Sequence, residues 1–407
     1  MTIDVKIFKR LKKYVAALFI TVLNKTSMVV VGLTKCKKVL VVGASGLVGN
    51  AVMKHMARQR NISVVAVSRR MPSNTFGADF VSVDLTNQKE CSEAFGKMAG
   101  ITHIVYAALF EKQNLTSGWL EQDQIRINDQ MLRNIFEPVE RASKGTLTHV
   151  TLLQGTKAYG GHVRPFAVPA REGKSDARDI PNFYWAQEDY IRSKQQGKDW
   201  NWTIFRPQII IGESIGSAMN IIPAIGVYAS LLKEEGKPLY YPGQETAVME
   251  TVDADLLARA IDWAGDAGAA SNEIFNITNG DIMVMKNIWP AIAEAFEMEL
   301  GGSIPISLAS EMPKRTDEWD QIRAKYNLAS PNLREFVGQS FQFADRYLND
   351  LHHPLLVSTV KLREAGFYEV FDTESMFKKW FRIFQEKRLL PSPSQMNKRT
   401  NLQVNSI

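Results

Sequence analysis

Val39 to Val42 is a short, wholly apolar run, and Gly43-Ala-Ser-Gly-Leu-Val-Gly49 follows it at once. An apolar run this short reads as a strand buried on both faces, the kind found in parallel sheets. Ala51 to Arg60 is rich in helix formers, and Ser63 to Val67 reads as a second buried strand. Strand, glycine turn, helix and strand thus fit within about 30 residues, the context that a phosphate-binding glycine fingerprint requires. In such a turn Gly43 permits the reversal, Gly46 lets backbone approach a pyrophosphate, and Gly49 lets the helix pack on the strand. The unpaired N–H groups at the helix start then face the anion. The expected fold is α/β: a Rossmann-type doubly wound parallel sheet, followed by a smaller, mostly helical C-terminal substrate lobe.

The second strand runs into Ser68-Arg69-Arg70, where an NAD enzyme usually places a carboxylate for the ribose 2′-hydroxyl. Two guanidiniums offer forked donors to a 2′-phosphate instead, which points to NADP(H). Arg69 is the better candidate for that contact. Phe80 to Leu85 reads as a third strand whose Asp84 would meet the adenine amine. Ile104 to Ala108 reads as a fourth, with small residues near its end where a cofactor can lie close.

His149 to Gln154 reads as a fifth strand and leads into Gly155-Thr-Lys157-Ala-Tyr159-Gly160. Gln154 and Gly155 stand where short-chain reductases keep a Ser/Thr pair. Further on, Asn182 is a helix cap candidate, so Tyr184 falls in the first turn of a helix running to about Gln196. The usual Tyr-x-x-x-Lys pair is broken there by Glu188, whereas Tyr190 and Lys194 keep the spacing. The two tyrosines lie about 120° apart around a helix, so only one can face the cofactor. The 22 positions from Tyr184 to Arg206 leave room for three to four turns and a loop before the next strand, Trp202 to Arg206. Tyr184 is therefore the expected proton donor, and Tyr190-Lys194 a chance match on a solvated or interdomain face. Lys157 is the natural substitute for the missing lysine, since an ammonium lowers a neighbouring phenol's pKa and stabilises negative charge on a substrate oxygen. Glu188 and Asp189 are explained by the helix dipole.

This combination resembles the plant progesterone 5β-reductase and iridoid synthase family, atypical short-chain dehydrogenases that reduce enones with NADPH. The likeness spans about residues 38–390 and is most specific at Leu153 to Tyr159 and Asn182 to Asp189. The resemblance implies hydride transfer from NADPH to the β-carbon of an α,β-unsaturated carbonyl, an enone or enal, with Tyr184 and Lys157 holding the enolate oxygen. The implied cofactor contacts are Gly43, Ser45, Gly46, Leu47, Val48, Gly49, Ser68, Arg69, Arg70, Asp84, Leu85, Ala107, Tyr184 and Ile211; Tyr159, Met219 and Asn220 would face the substrate. The chain departs from the family at Thr156, Ala158 and Trp185, where arginine, histidine and tyrosine are common. Two other readings are a nucleotide-sugar epimerase or dehydratase and a non-catalytic NADP(H)-binding regulator.

Composition limits the alternatives. Of the net charge of +6, nine Lys/Arg against one Asp in residues 1–38 supply +8, leaving −2 for the rest. Basic charge confined to a tail argues against nucleic acid. The tail also holds the apolar run Tyr14 to Leu23, too short to span a bilayer. It is expected to be unstructured, with surface membrane contact or targeting as the alternative. Cys36 and Cys91 make neither a disulfide framework nor a metal-ligand set, in keeping with a cytoplasmic setting. The expected organisation is a tail (1–37), an NADP-binding domain (38–210), an interleaved substrate lobe (211–390) with Gly212 to Gly226 a loop and helix entry, and a disordered tail (391–407). A homodimer is compatible with this reading.

Overall fold

In the computed structural model, residues 36–112, 117–244 and 247–397 are described. The strand before the glycine turn, β1 (Lys37–Val42), lies inside a seven-stranded sheet with β2 (Ile62–Ser68), β3 (Asp79–Ser82), β4 (His103–Tyr106), β5 (His149–Leu153), β6 (Asn201–Pro207) and β9 (Glu273–Ile277). Their order is β9-β6-β5-β4-β1-β2-β3, with parallel pairing. Two further short parallel strands, β7 (Ile209–Ile211) and β8 (Thr251–Asp253), pair beyond it. The strand order reverses between β1 and β4, which opens a crevice at their carboxyl ends.

The apolar strands are continuous because helices cover both faces. Val39 and Val41 point into one core with α1 (Leu47–Met56) and α6 (Ala254–Asp266). Leu40 and Val42 point into the other with α2 (Gln88–Phe95), α3 (Gln122–Ala142) and α4 (Phe183–Gln195). Every one of Val39 to Val42 is fully buried. Successive residues of one strand thus serve opposite layers.

The lobe is built from α5 (Ile221–Glu234), α7 (Met285–Ala295), α8 (Thr316–Tyr326), α9 (Ser340–Leu348) and α10 (Thr373–Glu386). Trp289, Trp319, Phe336, Phe341, Phe343, Phe377 and Trp380 are all buried in a core continuous with the α1 layer of the sheet. Chain from the lobe also returns to the sheet as β9, beside β6.

One expectation holds and one changes. The stretch from Gly212 is loop as far as Asn220, which caps α5, and the helix begins at Ile221. The C-terminal segment does not leave the fold at 391: Met396 is buried in the main core, and Ser392 accepts from the Gln395 N–H. Residues 1–35 and 398–407, on which the remaining tail expectations fall, lie outside the described residues.

Candidate active site

At the nucleotide end, Gly43 ends β1 with φ +88°, and a Cβ there would stand 2.8 Å from the Ala107 carbonyl at the end of β4. A Cβ on Gly49 would stand only 2.1 Å from the Gly43 carbonyl oxygen. Both glycines are therefore fixed by the protein's own backbone. A Cβ on Gly46 would meet that oxygen at 3.2 Å, a tight but weaker constraint, and Gly46 and Ser45 are exposed at the crevice. No side chain caps α1, and its first turn carries no acid. Its leading N–H groups thus suit an anion. Val48 is half-buried beside them, while Leu47 packs inward.

At the end of β2, Ser68 Oγ donates to the Arg70 carbonyl at 2.6 Å and Ser82 Oγ to the Arg69 carbonyl at 3.0 Å. These bonds shape a turn that leaves both arginine side chains exposed. Asp84 Oδ1 accepts from the Thr86 N–H and hydroxyl, and the backbone bond, more than Arg69, holds its carboxyl below the usual range. Leu85 and Ile211, expected at the cofactor, have their side chains in the two cores. A Cβ on Gly212, just after Ile211, would stand 2.6 Å from Ala254 and 3.4 Å from Leu47.

At the other end of the candidate site the expected residues gather around a tryptophan that sequence reasoning did not single out. Asn182 caps α4 by accepting from the Tyr184 N–H at 3.0 Å, which places Tyr184 in the first turn. The Tyr184 hydroxyl lies 3.4 Å from where a Cβ on Gly155 would be, and its ring meets Trp119 edge-on at 5.4 Å. Lys157 Nζ sits 3.4 Å from the centroid of the same indole and 3.9 Å from Met219 Sδ. Trp119 Nε1 in turn donates to Glu111 Oε1 at 2.6 Å. Tyr184, Lys157 and Met219 are thus brought together.

The electrostatics differ from expectation. Burial, with Glu111 adding to it and Arg206 opposing it, raises the Tyr184 phenol, and Lys157 does not lower it. Desolvation outweighs the ammonium because no hydrogen bond joins the two side chains. Burial acts on Lys157 itself, pushing it down to about 7 against the pull of Glu111. Burial also raises Glu111, with Lys157 and the Trp119 bond opposing.

Glu188 is not a surface complement to the helix dipole. It is 2% exposed, and it accepts from Gln154 Nε2 at 2.9 Å and pairs with Arg178 and Arg192 at 3.0 Å. Gln154 accepts from Arg206 Nε at 2.7 Å, and the fully buried Arg206 pairs with Asp176 at 2.6 Å. The position four residues after Tyr184 therefore faces an arginine rooted in β6. A lysine there would add a second buried cation beside Arg206, whereas Glu188 neutralises the first.

Three other expectations are corrected by packing. Tyr190 is buried rather than solvated, and its seam lies within the sheet domain: its hydroxyl donates to Glu137 of α3 at 3.1 Å, and Lys194 reaches the same carboxylate at 3.7 Å. Tyr159 lies 1% exposed with its hydroxyl donating to Asn276 at 2.6 Å and Arg206 over its ring at 5.1 Å, so it cements β9 to the sheet instead of facing substrate. Asn220, also fully buried, spends its side chain on the Ile222 N–H, the Gly212 carbonyl and Ser214 Oγ. Sequence reasoning missed Trp119, Glu111, His162 and Arg346. None belongs to a motif, and only the proximity of Trp119 and Glu111 in one irregular segment hinted at them.

A glycine-turn dinucleotide fold with a tyrosine at a helix start and a lysine at a strand end defines an extended short-chain dehydrogenase/reductase. The sequence matches the NAD dependent epimerase/dehydratase family over residues 39–278, and the chain belongs to that family. It is 30% identical over 373 residues to (S)-8-oxocitronellyl enol synthase of Catharanthus roseus, covering 86% of this chain and 92% of that one. It is 29% identical over 372 residues to 3-oxo-Delta(4,5)-steroid 5-beta-reductase of Arabidopsis thaliana, with the same coverage. The fold is similar to UDP-glucose 4-epimerase of Thermus thermophilus in complex with NAD, at TM-score 0.60 and 18% identity over 86% of this chain and 99% of that one. The protein is an oxidoreductase with a cofactor of the NAD(P) class.

Proposed function

We propose that this protein is an NADPH-dependent reductase of the C=C bond of α,β-unsaturated carbonyls. The observation that carries the reading is the gathering of Tyr184 and Lys157 at Trp119, with Met219 packed against the same cluster. NADPH, when bound, supplies a hydride to the β-carbon. The residues of the chain do the rest. Gly43 and the uncapped start of α1 receive the pyrophosphate, and Arg69 with Arg70 meets the 2′-phosphate. Tyr184 stays protonated because burial raises its phenol, so it donates a hydrogen bond to the carbonyl oxygen as negative charge develops there. Lys157 in its charged form reinforces that stabilisation, and solvent protonates the α-carbon. The relatives named as an enol synthase and a steroid 5-beta-reductase support the same chemistry.

The test is reduction of small cyclic and acyclic enones with NADPH deuterated at the transferable position. The expected product is a saturated ketone labelled at the β-carbon. An allylic alcohol labelled at the carbonyl carbon would replace the proposal with carbonyl reduction, and binding of NADPH without turnover of any enone would favour a regulatory binder.

A further inference from the structure

The proposed reduction leaves two basic side chains without a task, His162 beside Trp119 and Arg346 at the neighbouring Gly161. Arg346, on lobe helix α9, donates from Nη2 to the Gly161 carbonyl at 2.7 Å, and among the described residues it forms no ion pair. The next residue in the loop is His162. Its imidazole is 7% exposed and 6.4 Å from the Trp119 ring, and neither ring nitrogen has a hydrogen-bond partner although both are shielded from solvent. Buried polar atoms in folded proteins are nearly always paired, so two orphaned nitrogens on one ring make it a candidate to bind a polar group from outside the chain. Burial first, and then Lys157 and Arg346, push His162 down to about 4, so near neutral pH the ring has one donor and one acceptor nitrogen.

The charge balance specifies that partner further. Lys157 and Arg346 act on each other and on His162 as cations. The carboxylate that acts on Lys157 is Glu111, which burial raises and Trp119 engages. In the reductase reading, Tyr184 and Lys157 serve the carbonyl oxygen. A guanidinium and an N–H remain for another oxygen group, and one permanent cation matches a monoanion better than a phosphate dianion. Arginine's forked donors also fit the two oxygens of a carboxylate.

We propose that the substrate is an unsaturated carbonyl compound that also carries a carboxylate, held by Arg346 and by an N–H of His162 while Tyr184 and Lys157 hold the reacting carbonyl. This rests on the ene-reductase reading for the chemistry but not for the binding. The carboxylate is unchanged in the reaction: hydride adds β to the ketone, a solvent proton adds at the α-carbon, and NADP⁺ leaves.

The probes are β-acetylacrylate and its methyl ester, which differ in charge but share the enone. With NADPH, kcat/KM for the acid is expected to exceed that for the ester by about tenfold or more, mostly through KM, the size of a charge-assisted hydrogen-bond pair. Arg346→Gln brings the ratio near one, Arg346→Lys retains part of it, and His162→Leu gives an intermediate value, with thermal unfolding reporting whether each variant is folded. Equal use of acid and ester by the wild type, or a ratio unmoved by Arg346→Gln, overturns the proposal. Where neither probe is reduced, calorimetric titration of the wild type and Arg346→Gln with levulinate, the saturated acid, in the presence of NADP⁺ separates the two ideas. Binding that depends on Arg346 upholds the carboxylate subsite and removes the reductase reading, and absence of binding removes the subsite.

Discussion

Replacing Lys157 by methionine preserves the length and much of the packing of the side chain against Trp119 and Met219 while deleting its charge. Burial holds the Lys157 ammonium at about 7 in place of its ordinary 10.5. Half of the molecules are then charged near neutrality, and the charged fraction falls about tenfold per unit above that. Tyr184 stays protonated throughout this range, and His162, at about 4, is already neutral. The alkaline limb of kcat/KM for an uncharged enone should therefore belong to Lys157 in its pairing with Glu111, with its midpoint at about 7. Loss of an oxyanion donor typically costs about 100-fold or more. At about pH 6, where Lys157 is mostly charged, Lys157→Met should lose about that factor; at about pH 9, where only about 1% of the wild type is charged, the difference should shrink to about twofold. Glu111→Gln removes the group that pulls Lys157 upward and so should move the limb to lower pH, while Lys157→Arg, charged at every working pH, should flatten it. The assay is initial-rate NADPH consumption across pH with saturating cofactor. A limb that survives in Lys157→Met, or a wild-type limb near 10, would refute the assignment of charge to this lysine.

The two tyrosines should separate cleanly: Tyr184→Phe lowers kcat by about 100-fold, whereas Tyr190→Phe retains turnover and costs about 1 kcal/mol in urea unfolding through loss of its bond to Glu137. Arg69→Gln combined with Arg70→Gln should cut the NADPH over NADH preference in kcat/KM by about tenfold or more while leaving NADH use little changed, since only the 2′-phosphate loses partners; an unaltered ratio would remove the arginines from cofactor selection. Arg206→Met strips the buried Gln154 and Glu188 and the half-buried Asp176 of a shared cation and should destabilise the fold by about 3–5 kcal/mol in equilibrium denaturation. A change below about 1 kcal/mol would mean the network is dispensable.

The nucleotide half was legible because its constraints are local. Gly43 and Gly49 are demanded by backbone atoms within one turn and one neighbouring strand, so glycine spacing reports them directly. Tyr184 was legible for a similar reason, since its place depends on the cap at Asn182 and the distance to the next strand. Glu188 was not, because its partners Gln154, Arg178 and Arg206 come from three other segments. Tyr159 and Asn220 misled in the same way: each sits in the right stretch of chain, but its polar end is claimed by Asn276 or by the α5 cap and the Gly212 loop.

The sequence by itself determined the strand, glycine turn and helix that receive a dinucleotide, the arginine pair beside it, and the tyrosine at a helix start, since each follows from neighbours in the chain. Only the tertiary structure decided what surrounds that tyrosine. Trp119 and Glu111 from one loop, Lys157 and His162 from another, and Arg346 from the lobe lie far apart in sequence, and their charge states follow from shared burial. Desolvation depends on the whole packed surrounding of a group, so neither a depressed lysine nor an orphaned imidazole can be read from spacing.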